Sequence, residues 1–284
     1  MKKGLFILLI FCFSLTVISC GDLKEESTTT DTTAPVIAEV TAVTTPTNDS
    51  TPDYTFSSDE AGTITYGGSC SSSTSIVISG NNTITLNSLS DGTYSDCTIA
   101  IRSSTGYLSN ILTITSFIVD STAATLTEVT AVTTTNDNTP NYIFSSSEAG
   151  TITYGGSCSS STTSVTTGSN TITLVSLSEG TYSDCTITVT DNSSNTSNTL
   201  IMSPFSIDIT APVLAEITSI TTPTRESTQS YTFSSTESGT ISYEGGCISN
   251  TTSSTIDNNS ITFTSLGEGT YNCKINVTDQ AGNI

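Results

Sequence analysis

Polar and apolar positions alternate along the chain in short runs. GTITY at 62–66 alternates small or polar side chains with large ones, and YTFSS (54–58), TITLNSL (83–89) and CTIAIRSS (97–104) are similar runs rich in Thr, Ile and Tyr. Gly, Asn, Asp and Pro clusters separate the runs at intervals of roughly 8–12 residues, and no window keeps a 3.6-residue period. The pattern predicts an all-β fold of short strands.

The same set of runs occurs three times. TPDYTFSSDEAGTITYGGSC (51–70) aligns with TPNYIFSSSEAGTITYGGSC (139–158) and TQSYTFSSTESGTISYEGGC (228–247). The matching tyrosines lie 88 and 89 residues apart. A period near 90 residues exceeds that of solenoid repeats and suits a self-sufficient domain. About seven short strands in that length predict a β-sandwich.

We therefore expect three sandwich domains, at 32–120, 121–208 and 209–284. The first two end in ILTITSFIVD (111–120) and TLIMSPFSID (199–208), and the third reaches Ile284 without such a segment. The third domain is therefore predicted to lack its last strand, which leaves an open sheet edge. A truncated reading frame is the first explanation, and completion by a partner's strand is the second.

The first residues have the order of an export signal. Lys2 and Lys3 precede the apolar run GLFILLIFCFSL (4–15), which is too short for a transmembrane helix. The following VISC (17–20) resembles the lipobox of bacterial lipoproteins. That resemblance implies removal of residues 1–19, lipidation of Cys20 and a short disordered tether at 20–31. An ordinary secretory peptide is the alternative.

Several motifs beyond Asp31 resemble bacterial immunoglobulin-like domains, which occur in tandem on surface proteins and adhesins. They are DTTAPV (31–36), DITAPV (208–213), the EAG–T–T–Y strand, the L–x–x–G–T–Y corner and VTDQAGN (277–283). The resemblance implies tandem immunoglobulin-like β-sandwiches and a tyrosine corner at Tyr94, Tyr182 and Tyr271. The core Trp of immunoglobulin domains is absent. Three positions separate Tyr from Cys in the first two copies and two in the third, so a bulge or a pre-strand position is expected.

Six cysteines follow Cys20, two in each repeat. An exported chain favours disulfides, and among fifteen possible pairings the repetition selects one bridge per unit: Cys70–Cys97, Cys158–Cys185 and Cys247–Cys273. Zinc sites require closely spaced ligands such as C-x-x-C, and a cysteine nucleophile requires a nearby base. The sequence has neither C-x-x-C nor histidine. Disulfides are therefore the prediction, and no metal is expected at the cysteines.

Carboxylates that recur in successive repeats suggest a cation-binding site. Asp120 and Asp208 lie at the predicted junctions, and Asp191 and Asp279 lie in a late loop where the first copy has Ser103. Another loop repeats an acid in all three copies: Glu60, Glu148 and Glu237. Oxygen ligands of this kind bind Ca²⁺ in other tandem domains, but no D-x-D-x-D-G loop occurs. The main expectation is no cofactor, with junction calcium as the alternative.

The composition excludes some classes of partner and of function. The 26 acidic residues against 6 basic ones give a net charge of -20, which opposes binding to nucleic acid or to an anionic membrane surface. Catalytic carboxylate pairs do not usually triplicate with a scaffold, so we expect no enzyme. The expected location is extracytoplasmic, lipid-anchored at a bacterial outer membrane or cell surface.

The predicted function is an extended stalk or adhesin-like surface module that contacts the membrane through its N-terminal lipid. Its ligand would be an extracellular protein or glycan, bound at interstrand loops such as SSSTSIVISGNN (71–82), which differ among the copies. The alternative is a carbohydrate- or protein-binding accessory region of a larger, truncated surface enzyme.

Overall fold

The computed structural model describes residues 31–284. The predicted signal peptide and Cys20 lie outside these residues. Every regular element of the described part is a β-strand, which confirms the predicted all-β sandwich fold. Within the same residues no helix is long and apolar enough to cross a membrane.

The strands fall into three successive sets that repeat the same order. The first contains β1 (Ile37–Thr41), β2 (Asp53–Ser58), β3 (Gly62–Gly67), β4 (Ile76–Val77), β5 (Gly80–Thr85), β6 (Gly92–Tyr94), β7 (Thr98–Ser103), β8 (Leu112–Thr113) and β9 (Phe117–Val119). The second contains β10 (Leu126–Thr130), β11 (Asn141–Ser146), β12 (Gly150–Gly155), β13 (Ser164–Val165), β14 (Gly168–Thr173), β15 (Gly180–Tyr182), β16 (Thr186–Thr190), β17 (Leu200–Ile201) and β18 (Phe205–Ile207). The third contains β19 (Leu214–Thr218), β20 (Ser230–Ser235), β21 (Gly239–Glu244), β22 (Ser253–Ser254), β23 (Asp257–Thr262) and β24 (Lys274–Thr278).

We call each set a unit; the first two units each form two larger antiparallel sheets and one two-stranded sheet, and the third unit forms two sheets. In the first unit one sheet has the order β1-β2-β5 and the other β4-β3-β7-β8, while β6 pairs with β9. The alternation of β2 places Tyr54 and Phe56 on the buried face and Asp53 on the surface, as expected for strands with one wet side. The second unit repeats this topology, and the third keeps β19-β20-β23 and β22-β21-β24.

Each unit has its own hydrophobic core between its sheets. Sixteen buried residues form the core of the first unit and seventeen that of the second, but only six form the core of the third. Among the described residues, the third unit contains no counterpart of β8 or β9. Its smaller core follows, because the segment that contains β8 and β9 supplies Ile114, Phe117 and Val119 in the first unit.

The segment 111–120 differs from the single run that the sequence suggests. β8 pairs with β7 in one sheet, whereas β9 pairs with β6 outside that sheet. Ile114 and Phe117 are both buried although they are three positions apart, which an unbroken strand does not allow because such positions face opposite sides. The chain therefore breaks at Thr115 and Ser116 and changes sheet.

The predicted binding loop at 71–82 is also not a simple loop. It contains β4 and the first residues of β5. Asn82 closes the turn between them, since its side chain accepts from the Ile78 amide at 2.9 Å and donates to the Ile78 carbonyl at 2.8 Å. Ile76 and Ile78 remain exposed on this hairpin.

Candidate functional site

Three disulfides brace the units, each at the end of two neighbouring strands. The bridges are Cys70–Cys97, Cys158–Cys185 and Cys247–Cys273, with Cα–Cα distances of 5.2, 5.2 and 5.5 Å. In the first unit the cysteines follow β3 and precede β7, which are antiparallel neighbours. The predicted pairing is confirmed. A loop of this length stabilises a unit by about 3–4 kcal/mol on the chain-entropy model, and the bonded sulfurs are not available as nucleophiles.

A tyrosine stands beside each bridge and bonds back to the chain. The hydroxyls of Tyr94, Tyr182 and Tyr271 donate to the carbonyls of Ser90, Ser178 and Gly267 at 2.8, 2.9 and 3.2 Å. This is the hydrogen bond expected of a tyrosine corner. The first two rings stack on the phenylalanines of β9 and β18, at 5.3 and 5.4 Å between centroids.

The odd Tyr–Cys spacing is absorbed outside the strands. β6 ends at Tyr94 and β7 begins after Cys97, so Ser95 and Asp96 lie in the irregular connection between them. The Asp96 carboxylate accepts from the Ser69 hydroxyl at 2.9 Å. Cys97 therefore lies just before β7, which is the pre-strand position expected as the alternative to a bulge.

The second junction brings three carboxylates together. Oxygen atoms of Asp208, Glu237 and Asp279 lie within 4.8 Å of one another. Burial, followed by the charges of Asp208 and Asp279, raises the pKa of Glu237. Sequence reasoning named all three residues because their positions repeat at loops and junctions.

Much of the hydrogen-bonding capacity of this acidic cluster is used by the protein itself. Asp279 accepts from the amides of Gly282 and Asn283 at 2.7 and 2.9 Å and from the Asn283 side chain at 2.8 Å. Burial tends to raise the pKa of Asp279, but these hydrogen bonds outweigh it and lower the pKa. The Asn283 side chain also donates to the Asp208 carbonyl at 2.8 Å. Calcium at this place stays a prediction.

The first junction has the equivalent acids, Asp120, Glu148 and Asp191. Burial, then the charges of Asp120 and Asp191, raises the pKa of Glu148. As at the second junction, an asparagine side chain donates to the junction carbonyl, here from Asn195 to Asp120 at 2.8 Å. The difference is that the Asp120 carboxylate also accepts from the Ser193 hydroxyl at 3.0 Å. The two junctions therefore share their asparagine and aspartate hydrogen bonds and differ in this serine contact.

An open groove runs along the third unit, and sequence reasoning anticipated it only as an open edge. Its volume is about 980 Å³. Its lining residues include Glu216, Thr224, Tyr231, Tyr271, Cys273 and Ile275. The side chain of Tyr231 is partly exposed there, whereas its counterparts Tyr54 and Tyr142 are completely buried.

Comparisons with known proteins give little further information. No protein-family model matches the chain, and no curated protein matches it. One similar solved structure is that of dimeric latent PorU from Porphyromonas gingivalis, at 11% sequence identity and a TM-score of 0.23. The match covers 88% of this chain, which spans about a third (31%) of the PorU chain.

Proposed function

We propose that this chain is a lipid-anchored cell-envelope protein that acts as a stalk or adhesin-like module of tandem immunoglobulin-like domains. The observation that carries the proposal is the threefold repetition of one disulfide-braced β-sandwich unit. Disulfides favour an oxidising, extracytoplasmic compartment. A non-catalytic role is part of the proposal, because the repeated residues of each unit serve its sheets, its bridge and its corner.

Contacts between successive units support a stalk. The Asn48 side chain of the first unit donates to the Ser194 carbonyl of the second at 3.3 Å. The backbone N–H of Asn136 in the second unit donates to the Ala281 carbonyl of the third at 3.1 Å. The loop between the first and second strands of each unit therefore contacts the same turn of the next unit, which is the arrangement a regular row of domains needs.

Metabolic labelling tests the anchor. The full chain is expressed in a bacterium that processes lipoproteins, in the presence of a clickable palmitate analogue. We expect labelled, membrane-associated protein, and loss of the label in Cys20→Ala. Cys12→Ala is the matched control, because Cys12 would leave with the signal peptide, and it should keep the label. Labelling that survives Cys20→Ala would contradict the anchor.

Protease treatment of intact cells tests the surface role. The chain should be digested while a soluble periplasmic marker survives. If the chain resists digestion until the outer membrane is opened, the surface location is contradicted and a periplasmic scaffold is supported instead.

A further inference from the structure

One cross-strand row of the first unit contains large apolar side chains where the second unit has only hydroxyls. Ile76 on β4 and Arg102 on β7 both pair with Thr63 on β3, and Leu108 pairs with Arg102. Paired residues point to the same face of a sheet, so these four side chains lie side by side. All four residues are exposed. The equivalent row of the second unit is Ser164, Thr151, Thr190 and Thr196.

Two more exposed side chains flank this row. Ile78 lies two positions after Ile76, at the turn of the β4–β5 hairpin. Tyr107 precedes Leu108 in the turn after β7, where the backbone N–H of Ser103 donates to the Tyr107 carbonyl at 2.9 Å. The row and its flanks therefore form one exposed end of the sheet.

A valine at the start of the first unit lies at the same end. The backbone N–H of Val36 donates to the Asp59 carboxylate at 2.7 Å, and the hydroxyl of Ser79, next to Ile78, donates to the Asp59 carbonyl at 2.8 Å. We call the exposed hydrophobic residues at this end the apolar patch: Val36, Ile76, Ile78, Tyr107 and Leu108, which are 62, 74, 64, 41 and 48% exposed.

The second unit is polar at all five positions of the patch. Its residues there are Thr125, Ser164, Thr166, Asn195 and Thr196. The third unit has Ser253, Thr255 and Asn283 at three of them. The patch is therefore a property of the first unit and not of the repeated fold.

The second unit uses the equivalent end to receive the first unit. Asn195 donates to the Asp120 carbonyl at 2.8 Å, and the Ser194 carbonyl accepts from Asn48 of the first unit at 3.3 Å. Tyr107 takes the position of Asn195 and has no side-chain amide for such a contact. Large exposed apolar patches mark contact sites for proteins or membranes. The end of the first unit is therefore suited to a contact other than a unit junction.

The patch lies where the chain enters the first unit. Asn110, two residues after Leu108, accepts from the Ile37 backbone N–H at 2.9 Å and donates to the Ile37 carbonyl at 3.0 Å. Cys20, the predicted lipidation site, lies eleven residues before Asp31, and eleven residues span at most about 40 Å. A bilayer that holds the lipid is therefore within reach of the patch.

The intervening segment has too little apolar surface to cover the patch itself. Residues 21–30 contain one large apolar side chain, Leu23, among Gly, Ser, Thr and charged residues. Five exposed hydrophobic residues need a larger apolar partner than one leucine.

The charges near the patch favour a bilayer without net charge. Arg102 is the only basic residue of the segment 32–208, and its guanidinium donates to the Gly106 carbonyl at 2.8 Å. The remaining N–H groups of Arg102 are available to a lipid phosphate. Asp59 and Glu60 lie at the same end and repel an anionic surface.

We propose that the apolar patch is a membrane-contact site that inserts into the headgroup region of a phospholipid bilayer without net charge. Tyrosine and large aliphatic side chains suit the interface between headgroups and acyl chains. The patch is small, so it binds weakly by itself, and a lipid at Cys20 keeps it at a high local concentration. This site rests on the proposed lipid anchor, and the experiment supplies that anchor chemically.

Tryptophan quenching tests the site on the predicted mature chain, residues 20–284. Cys20 is the one cysteine of this chain that the three bridges do not use, so its thiol is coupled to a maleimide lipid in phosphatidylcholine vesicles. Leu108→Trp places a single tryptophan in the patch, because the sequence contains none. Acyl chains brominated near the headgroup should quench its emission.

Thr196→Trp is the matched control, because position 196 of the second unit is equivalent to position 108 and is also exposed. Its emission should stay unquenched. No quenching at position 108, or equal quenching at both positions, would overturn the membrane contact. Since the coupling is chemical, that result is independent of the palmitate label, whose loss counts against the anchor alone.

Ile76→Ser introduces the residue of the second unit into the Leu108→Trp chain. It should lower the ratio of inserted to free patch about tenfold, because burial of an Ile side chain contributes about 1.5–3 kcal/mol and 1.4 kcal/mol is a factor of ten. Ile201→Ser is the control, since Ile201 is 64% exposed on the second unit, and it should leave quenching unchanged. Equal quenching in both variants would contradict the assigned patch.

Lipid charge and self-association separate the remaining occupants. Phosphatidylglycerol in the vesicles should weaken quenching, and stronger quenching would overturn the assignment to a bilayer without net charge. The uncoupled chain should be a monomer by light scattering. A dimer that Ile76→Ser disrupts would assign the patch to a second copy of the chain and overturn the membrane contact.

Discussion

Single residues repeat their contacts from unit to unit because the same backbone surrounds them. Tyr94 and Tyr182 each donate a hydrogen bond four residues upstream and stack on a Phe. Tyr271 keeps the hydrogen bond without that stacking partner among the described residues. The hydroxyl and the ring therefore have separable effects.

Tyr182→Phe should destabilise the second unit by about 1 kcal/mol, because it removes one hydrogen bond and keeps the ring on Phe205. Hydrogen exchange of the second unit's slowest amides measures the loss. Tyr107→Phe is the control, since Tyr107 is 41% exposed, and it should change nothing. An equal effect of both substitutions would refute the corner's role.

Gly156 and Gly168 separate two reasons for a glycine. Both have positive φ, at 72° and 98°. A Cβ at 156 would overlap the backbone carbonyl of Asp184, the residue before the bridge cysteine Cys185, whereas a Cβ at 168 meets nothing within 4 Å. Gly168→Ala should cost about 1 kcal/mol from backbone strain, and Gly156→Ala clearly more. Urea unfolding checks the order, and equal losses would contradict it.

At the scale of elements, loops from different strands meet at the unit junctions. Asp208 follows β18, Glu237 precedes β21 and Asp279 follows β24. Their proximity concentrates negative charge in a chain that is already strongly acidic. The electrostatic repulsion among these three carboxylates is therefore expected to depend on pH.

Glu237→Gln should raise the melting temperature of the third unit at neutral pH, by about 1–2 °C for a largely solvated charge. The folded pKa of Glu237 is raised, so its stabilising contribution is full below the unfolded pKa of about 4.3 and is lost as pH rises through the folded pKa. The gain should disappear below about pH 4. Glu60→Gln is the control, because the first unit has Ser103 in place of the second acid.

Calcium binding would reverse the expected effect of Glu237→Gln on the melting temperature. If the cluster binds the ion, millimolar Ca²⁺ should raise the melting temperature of the wild type, and Glu237→Gln should lose that increase. No shift in the wild type would remove the calcium prediction.

At the scale of the whole molecule, stability is divided among three separate cores. The third core is the smallest, and Tyr231, Cys273 and Ile275 at its edge are partly buried while their counterparts in the first two units are buried. The chain should therefore not unfold in one two-state step.

The third unit should open first. Hydrogen exchange followed by mass spectrometry should show its core strands, β20 and β21, exchanging faster than β2, β3, β11 and β12. The second unit is an internal control, because it shares the topology and differs by a filled groove. Equal protection of all three units would show that β8 and β9 contribute little to a unit's stability.

Sequence determined what depends on local pattern and on repetition. Alternation at 62–66 gave the strand type, the period gave the units, and two cysteines per repeat with no histidine gave the bridges. These features are visible because each rests on spacing along the chain. The positions of Asp208, Glu237 and Asp279 also repeat, so they were found before their distances were known.

Tertiary structure alone decided what depends on contacts between distant segments. The sheet change at Thr115–Ser116 follows from two buried residues, Ile114 and Phe117, at an odd spacing that fits no single strand. The groove of the third unit is a shape between two sheets, and Glu216 becomes part of its wall only because β19 pairs with β20. Such features join residues dozens of positions apart, and no local period records them.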